Sequence, residues 1–400
     1  MMLLLTVLTL GACAPGAPGA APSRTSPHPA AGTAPANALA PERLLESARA
    51  GGTYLARTMQ RDGRFTYIME PEPTPARFAY NLVRHAGTIW AMLDLYEQTR
   101  DPSLLAAAEH ALAYLAAQAE PLGDGRRGKQ MVIAEKDEIV ELGGSGLALL
   151  AMTSHVRATG SRLYLPLAER LAEWILQTQE PSGRYAIHAM TWPDQRVIES
   201  RRSEYYDGEA TLALLRLHAV TGEVRYLDAA DRAARHIITV RDGGKTPAEL
   251  PPDHWLLYAL NELHAARPDA LFTDHARKIV TEMQRTQHGP ETPPAWQGGW
   301  YDPPRSTPAA CRAEGMAASW HMFRRADEHE FAVSIRRTIE RSVAFQLRSQ
   351  VTAAVAEMYP QPALAVGGWQ AGPTDPQIRI DFVQHNISAL LGLRRIMKQD

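Results

Sequence analysis

From residue 42 onward, apolar side chains recur at helical spacing, and no two neighbouring stretches alternate convincingly enough to pair as strands. The periodicity predicts twelve helices, over 42–60, 80–99, 102–119, 141–159, 162–178, 204–221, 224–238, 253–266, 269–287, 310–325, 327–350 and 381–397. β-Branched runs such as that at 235–240 fall within the same helical period. Two kinds of helix alternate. One kind opens on polar and small residues and then turns apolar. Its openings are Tyr80-Asn81-Leu82-Val83-Arg84-His85-Ala86-Gly87, Glu141-Leu142-Gly143-Gly144-Ser145-Gly146, Glu204-Tyr205-Tyr206-Asp207-Gly208-Glu209, Asp253-His254-Trp255, Cys311-Arg312-Ala313-Glu314-Gly315 and Asp381-Phe382-Val383-Gln384-His385-Asn386. Their first residues are 61, 63, 49, 58 and 70 positions apart in turn. The other kind, as at 225–235 and 275–285, is charged on one face and rich in Ala, Leu or Ile on the other. That is the pattern of a helix half in water.

A two-helix unit recurring at this spacing predicts a repeat architecture. Small residues at the head of every second helix permit the close approach that an inner ring requires. The turn after each such helix is short and punctuated, as in Arg100-Asp101-Pro102, Thr159-Gly160-Ser161, Thr221-Gly222-Glu223 and Arg267-Pro268-Asp269. The return loops are longer and include Arg61-Asp62-Gly63-Arg64-Phe65, Pro181-Ser182-Gly183-Arg184-Tyr185, Gln297-Gly298-Gly299-Trp300-Tyr301 and Gly367-Gly368-Trp369. Long loops gathered at one end place function at that end. The expected fold is all-α, an (α/α)6 toroid of six helical hairpins in inner and outer rings. In its repeat and in helix heads such as that at 204–209, the chain from 42 to 398 resembles the six-hairpin glycosidase superfamily, which shares this barrel. It is also similar to squalene-cyclase-like toroids in its Gly-x-aromatic loops, and to bacterial N-acyl-sugar epimerases at Arg84-His85. The resemblance implies an enzyme acting on a poly- or oligosaccharide. A shared fold does not fix the reaction.

Six helix heads around one opening would bring distant residues together. A carboxylate pair for glycoside hydrolysis is expected from Asp207, Glu209, Glu314 and Glu141, and hydrolysis is the first expectation. Capping explains Glu141, Glu204, Asp253 and Asp381 one at a time, because acids are stabilised at helix N-termini. The acids as a set still predict at least one catalytic carboxylate. Expected substrate-binding residues are Tyr80, Asn81, Arg84, His85, Tyr205, Tyr206, His254, Trp255, Arg312, Gln384, His385 and Asn386. Tyr80, Arg84, His85 and His385 support a rival chemistry, elimination or epimerisation on a uronic sugar. There a Tyr or His removes a proton and Arg, Asn or Gln steadies the charge. The ordinary structural role of a lone histidine, a hydrogen bond to a carbonyl, competes for His85 and His385. Trp192, Trp255, Trp296, Trp300, Tyr301 and Trp369 sit mostly in or beside return loops, placed either to stack on sugars or to fill gaps beneath the loops. A non-catalytic glycan-binding or envelope-assembly protein is the third expectation.

The sequence carries no CxxC, HExxH or Asp-rich calcium loop. Cys311 has no second cysteine in the helical region, so no metal and no cofactor are expected. Residues 1–10 are almost wholly apolar and too short to span a bilayer. They end at Leu10-Gly11-Ala12-Cys13, which resembles the lipobox of bacterial lipoproteins and implies acylation of Cys13. Residues 14–41, dominated by Ala, Pro, Gly, Ser and Thr, read as a flexible tether. The organisation expected is a signal over 1–13, a tether over 14–41 and the toroid over 42–400. The expected address is the cell envelope, with the membrane met through the lipid alone. A formal net charge of −2 offers no basic excess for a nucleic-acid partner. The oligomeric state is left open.

Overall fold

The computed structural model describes residues 38–72, 80–123, 130–135 and 139–399. Cys13 and nearly all of the expected tether lie outside them. Twelve long helices form two concentric rings. The inner ring contains α2 (Leu82–Thr99), α4 (Leu142–Thr159), α6 (Tyr206–Thr221), α8 (His254–Ala266), α10 (Ser306–Arg325) and α14 (Ile380–Met397). Each packs on its neighbour in that order, and α14 closes the ring against α2. The outer ring contains α1 (Pro41–Arg57), α3 (Pro102–Ala116), α5 (Leu165–Thr178), α7 (Val224–His236), α9 (Ala270–Arg285) and α11 (His329–Leu347). Five inner helices pack on the outer helix that follows them, and α14 packs on α1. The sixth hairpin is thus completed by the two ends of the fold. Two one-turn helices, α12 (Ala353–Ala356) and α13 (Pro362–Ala365), precede the last inner helix.

The helix boundaries follow local chemistry. Asn81 and Asp253 cap α2 and α8 by accepting from the backbone N–H groups of Arg84 and Leu256. Asp101 and Asp269 do the same for α3 and α9. At the far end three inner helices, α2, α4 and α6, stop on the left-handed residues Arg100, Gly160 and Gly222, which lets the chain reverse into the outer helix within a few residues. The outer helix α7 buries one stripe, including Tyr226, Ala230 and Ala233. The inner helices are buried nearly all round, α10 continuously from Ser306 to Trp320. Such helices need close neighbours. At Gly87 an added Cβ would come within 2.8 Å of the Gln384 amide, so glycine sets the α2–α14 approach.

The expectation of no paired strands is corrected. Strand β1 (Ile68–Met69) pairs with β7 (Asp375–Arg379), which pairs with β6 (Gln370–Gly372). A second sheet runs β2 (Ala119–Pro121), β3 (Met131–Glu135), β4 (Ile139–Glu141) and β5 (Ala189–Thr191). All pairings described are antiparallel. The strands have two to five residues, and β1 finds its partner some three hundred positions away, as in Ile68 opposite Arg379. No alternation that short is legible locally. These strands belong to the return loops, and β4 and β7 lead directly into α4 and α14. They therefore set how the inner helix heads enter the mouth of the ring.

Candidate active site

Near the ring axis, α2 and α8 face each other from opposite sides. Trp90 meets Trp255 with ring centroids 5.3 Å apart and Tyr258 edge-on at 5.6 Å. These aromatics fill the interior of the ring, which leaves chemistry to the inner helix heads. His254 is the first residue of α8 and stacks against Trp255, with centroids 4.6 Å apart. His385, one and a half turns into α14, meets His254 edge-on at 5.1 Å. Helix α10 lies between α8 and α14 in the ring and contributes Cys311, Arg312 and Glu314. His254 and Glu314 are 0% exposed, and His385 and Cys311 are 1% exposed.

The two imidazoles differ in their partners. His385 Nδ1 lies 2.7 Å from Glu314 Oε1, which fixes its ring, and the Tyr258 hydroxyl donates to the other Glu314 oxygen at 3.4 Å. Both ring nitrogens of His254 lack a hydrogen-bond partner although the residue is fully buried. Burial, reinforced by the nearby His385 and Arg312, holds the His254 pKa well below the ordinary imidazole range. At neutral pH it is therefore an uncharged base. Burial pushes Glu314 up, against the opposing pull of His385. Arg312 points toward the loop before α10. It donates to the Tyr301 hydroxyl at 2.8 Å and to the Pro308 carbonyl at 3.1 Å, and lies over the Trp300 and Tyr301 rings.

The other expected residues fall into separate groups. Asp381 accepts from Arg379 at 2.6 and 2.9 Å and from Arg84 at 3.2 Å, while Arg84 also donates to the Tyr67 hydroxyl at 2.7 Å. Burial raises the Asp381 pKa, but Arg379 and Arg84 more than reverse this and hold the carboxyl far below its usual range. The Tyr80 hydroxyl lies 2.6 Å from His85 Nδ1, and His85 Nε2 lies 2.9 Å from the Ala111 carbonyl oxygen. His85 thus faces the outer helix α3, and burial lowers its pKa to about 4. The elimination set of Tyr80, Arg84, His85 and His385 is therefore spread over three places. Asn81 caps α2. Gln384 lies against Gly87, and Asn386 donates to the Phe382 carbonyl at 2.7 Å.

The four expected carboxylates also separate. Glu141 makes an ion pair with Arg201 at 2.8 Å rather than capping α4. Glu209 lies on the α4 side of α6, where a Cβ on Gly143 would collide with its carboxylate and come within 2.5 Å of the Tyr206 ring. Burial raises the Tyr206 phenol well above its ordinary pKa, and Glu141 and Glu209 add to the effect. A small cavity of about 10 Å³ is lined by Asn81, Arg84, Ser203, Tyr205, Tyr206 and Glu209. Tyr205 also reaches toward His254, with centroids 6.3 Å apart. Asp207 turns away from this group. It meets His188 Nε2 at 3.0 Å and Arg241 at 3.4 Å. There it lines a cavity of about 400 Å³ beside α7, together with Tyr185, Arg202 and Glu204. Glu314 alone among the four stands with the histidines.

Trp300 and Trp369 are buried beneath their loops, donating to the backbone carbonyls of Met283 at 2.9 Å and Gln346 at 3.1 Å. They pack the structure beneath those loops. Sequence reasoning missed Cys311, Tyr258, Tyr67, Arg379, His188 and Arg241 as partners of the named residues. Cys311 carried a readable signal, since Cys311 and Glu314 are three apart on an inner helix and share a face. Tyr67 and Arg379 carried none.

Asp253 gives a test of the electrostatics here. Its Oδ1 caps α8, while its Oδ2 is buried without a partner. Burial raises its pKa from 3.8 to about 7, although Arg241 opposes the shift. A raised carboxyl favours the fold fully below about pH 4 and loses that contribution as pH climbs toward 7. Asp253→Asn keeps a capping oxygen and removes the titration. The variant is expected to be more stable than the wild type at pH 8, by up to roughly 4 kcal/mol, with the advantage vanishing near pH 4. Denaturant unfolding at both pH values checks this, and equal differences at the two would contradict it.

The sequence matches no family and no characterised protein. Solved structures share its fold. A D-mannose isomerase superposes with a TM-score of 0.65 at 15% identity, covering 93% of this chain and 100% of its own. The cellobiose 2-epimerase of Bacillus thermoamylovorans gives 0.65 at 12%, covering 89% and 100%. The GH76A alpha-1,6-mannanase of a Salegentibacter species gives 0.60 at 13%, covering 88% and 99%. Likeness at these identities establishes the common architecture, the (α/α)6 toroid.

Proposed function

We propose that the chain is a carbohydrate-active enzyme that transfers a proton at the carbon beside a sugar carbonyl, acting as an epimerase or aldose–ketose isomerase on a free reducing sugar. The observation that carries this reading is the pair of adjacent, edge-on imidazoles at the helix heads, His254 uncharged and without hydrogen bonds, His385 oriented by Glu314. A carbonyl acidifies the neighbouring C–H bond. A neutral imidazole removes that proton, leaving an enediolate. The second imidazole, once protonated, returns a proton. Return to the opposite face of the same carbon inverts it, and return to the former carbonyl carbon, with the neighbouring hydroxyl proton passing to the former carbonyl oxygen, moves the carbonyl. Either outcome needs two acid–base groups at one site. Arg312, whose charge acts on His254, supplies positive potential for the enediolate. Several solved structures with this fold are named for such reactions, and their sugars, mannose and cellobiose, give the first substrates to test.

In this reading a sugar reaches the histidines from the mouth, past the Tyr205 ring, which lines the small cavity there and lies 6.3 Å from the His254 ring. We place the enzyme at the cell envelope on the strength of the lipobox-like segment ending at Cys13.

Hydrolysis is the second reading. It is favoured by one observation, the approach of Glu141 and Glu209 to the same phenol, Tyr206, at the mouth. One experiment separates the two. The purified protein is incubated in D2O with mannose, cellobiose and mannose-containing oligosaccharides, and the products are read by NMR and mass spectrometry. The proposed reaction yields an epimer or ketose carrying carbon-bound deuterium. Fragments with an added water and no carbon-bound deuterium establish hydrolysis and overturn the proposal.

A further inference from the structure

We propose that His254, Cys311, Glu314 and His385 form a binding site for a single zinc-class divalent ion. The expectation of no metal rested on the absence of CxxC, HExxH and calcium-loop motifs and on Cys311 having no cysteine partner. The fold instead brings it beside two histidines and a carboxylate from three inner helices. One ligand atom from each of the four lies within 4.8 Å of all the others, and all four residues are buried. A tetrahedral zinc ion with the usual bond lengths sets its ligands about 3.3–3.8 Å apart. The quartet therefore needs a contraction of about 1 Å at its widest.

A second observation points to a ligand independently of the cluster. His254 is 0% exposed, belongs to this quartet, and has a hydrogen-bond partner at neither nitrogen. Leaving a buried polar group unsatisfied is unfavourable. A metal bond would relieve it at one nitrogen. The donor set selects the class of ion. Thiolate and imidazole favour zinc, cobalt or copper over magnesium and calcium, which take oxygen donors. Magnesium also tends to keep several of its waters, whereas the Trp255 ring packs directly against both histidines of the quartet.

The site stands whether or not the proposed reaction is correct, because it rests on donor geometry and on the unpartnered nitrogens of His254. The two do interact. An ion bound here occupies the imidazoles that proton transfer needs, so zinc is expected to inhibit an epimerase or isomerase of this design, and a chelator to restore it.

The test is direct metal binding. The purified protein is stripped with a chelator, shown by circular dichroism to remain helical, and titrated with Co2+ and then Zn2+. Protein purified from cells grown with added zinc is assayed in parallel for metal content, since the site is buried. One ion per chain is expected. The Co2+ form should show the intense d–d bands of a four-coordinate ion and a thiolate-to-cobalt charge-transfer band, and Zn2+ should bleach both. Cys311→Ser, nearly isosteric, should lose the charge-transfer band while remaining helical. His254→Ala should bind at least tenfold more weakly. No metal by either route, or a charge-transfer band that survives in Cys311→Ser, overturns the proposal.

Discussion

His254→Asn is expected to reduce turnover of the sugar by about 100- to 10,000-fold, the range that a general acid–base group supplies. The substitution removes the one buried imidazole among the described residues that has both nitrogens unengaged, and that burial keeps neutral. His385→Asn should fall in the same range, because a single proton shuttle fails when either partner is missing. The double variant should be little worse than either single one, since groups that act as a unit do not add. His85→Asn is the informative contrast. His85 is just as buried, but it is satisfied by Tyr80 and the Ala111 carbonyl on the outer side of α2. Its loss should lower stability and leave the rate per folded molecule nearly unchanged. Steady-state kinetics on variants matched for helical content check all three. A His254 variant that keeps a tenth of wild-type turnover would remove the basis of the proposed mechanism.

The largest effect on stability is expected at Asp381. Its carboxylate is 0% exposed and is shared by the guanidinium groups of Arg84 and Arg379, themselves nearly fully buried. Asp381→Asn retains the shape but leaves two buried cations without a counter-charge. Breaking a buried ion pair in this way costs about 3–5 kcal/mol. Surface pairs such as Arg43–Glu46 carry far less, because water screens them and their side chains lose entropy on pairing. Asp381 is held ionised far below the usual carboxylate range, so its contribution should persist through mildly acidic pH and fail only in strong acid. Guanidinium unfolding of wild type and Asp381→Asn at pH 7 and pH 5 measures this. A difference below about 1 kcal/mol at either pH would show that the triad is not the lock between α2 and α14.

The legibility of the molecule divides along physical lines. The outer helices could be read because each is half in water, so the charged face and the apolar stripe record its orientation. In α7, Tyr226, Ala230 and Ala233 mark the buried side without help from any neighbour. The inner helices could be placed but not oriented. With nearly every face buried, as from Ser306 to Trp320 in α10, hydrophobic period no longer says which side meets the axis. Asp207 and Glu209 illustrate the consequence. Two residues apart at one helix head, they read in the sequence as members of one catalytic set, yet one turns to His188 and Arg241 beside α7 and the other to Gly143 of α4.

The sequence by itself determined the toroid, because helical period, helix caps and turn residues are local properties and the two-helix repeat multiplies them six times. It also placed twelve helix heads to within a few residues, α10 beginning four residues before its expected start. Only the tertiary structure decided which polar side chains share a site. His254, Cys311, Glu314 and His385 come from three helices, and the strand that leads into one of them, β7 before α14, pairs with β1 some three hundred positions away. The rotation of an inner helix about its own axis is set by such distant contacts and by buried ion pairs like that of Asp381, and no local pattern in the chain encodes it.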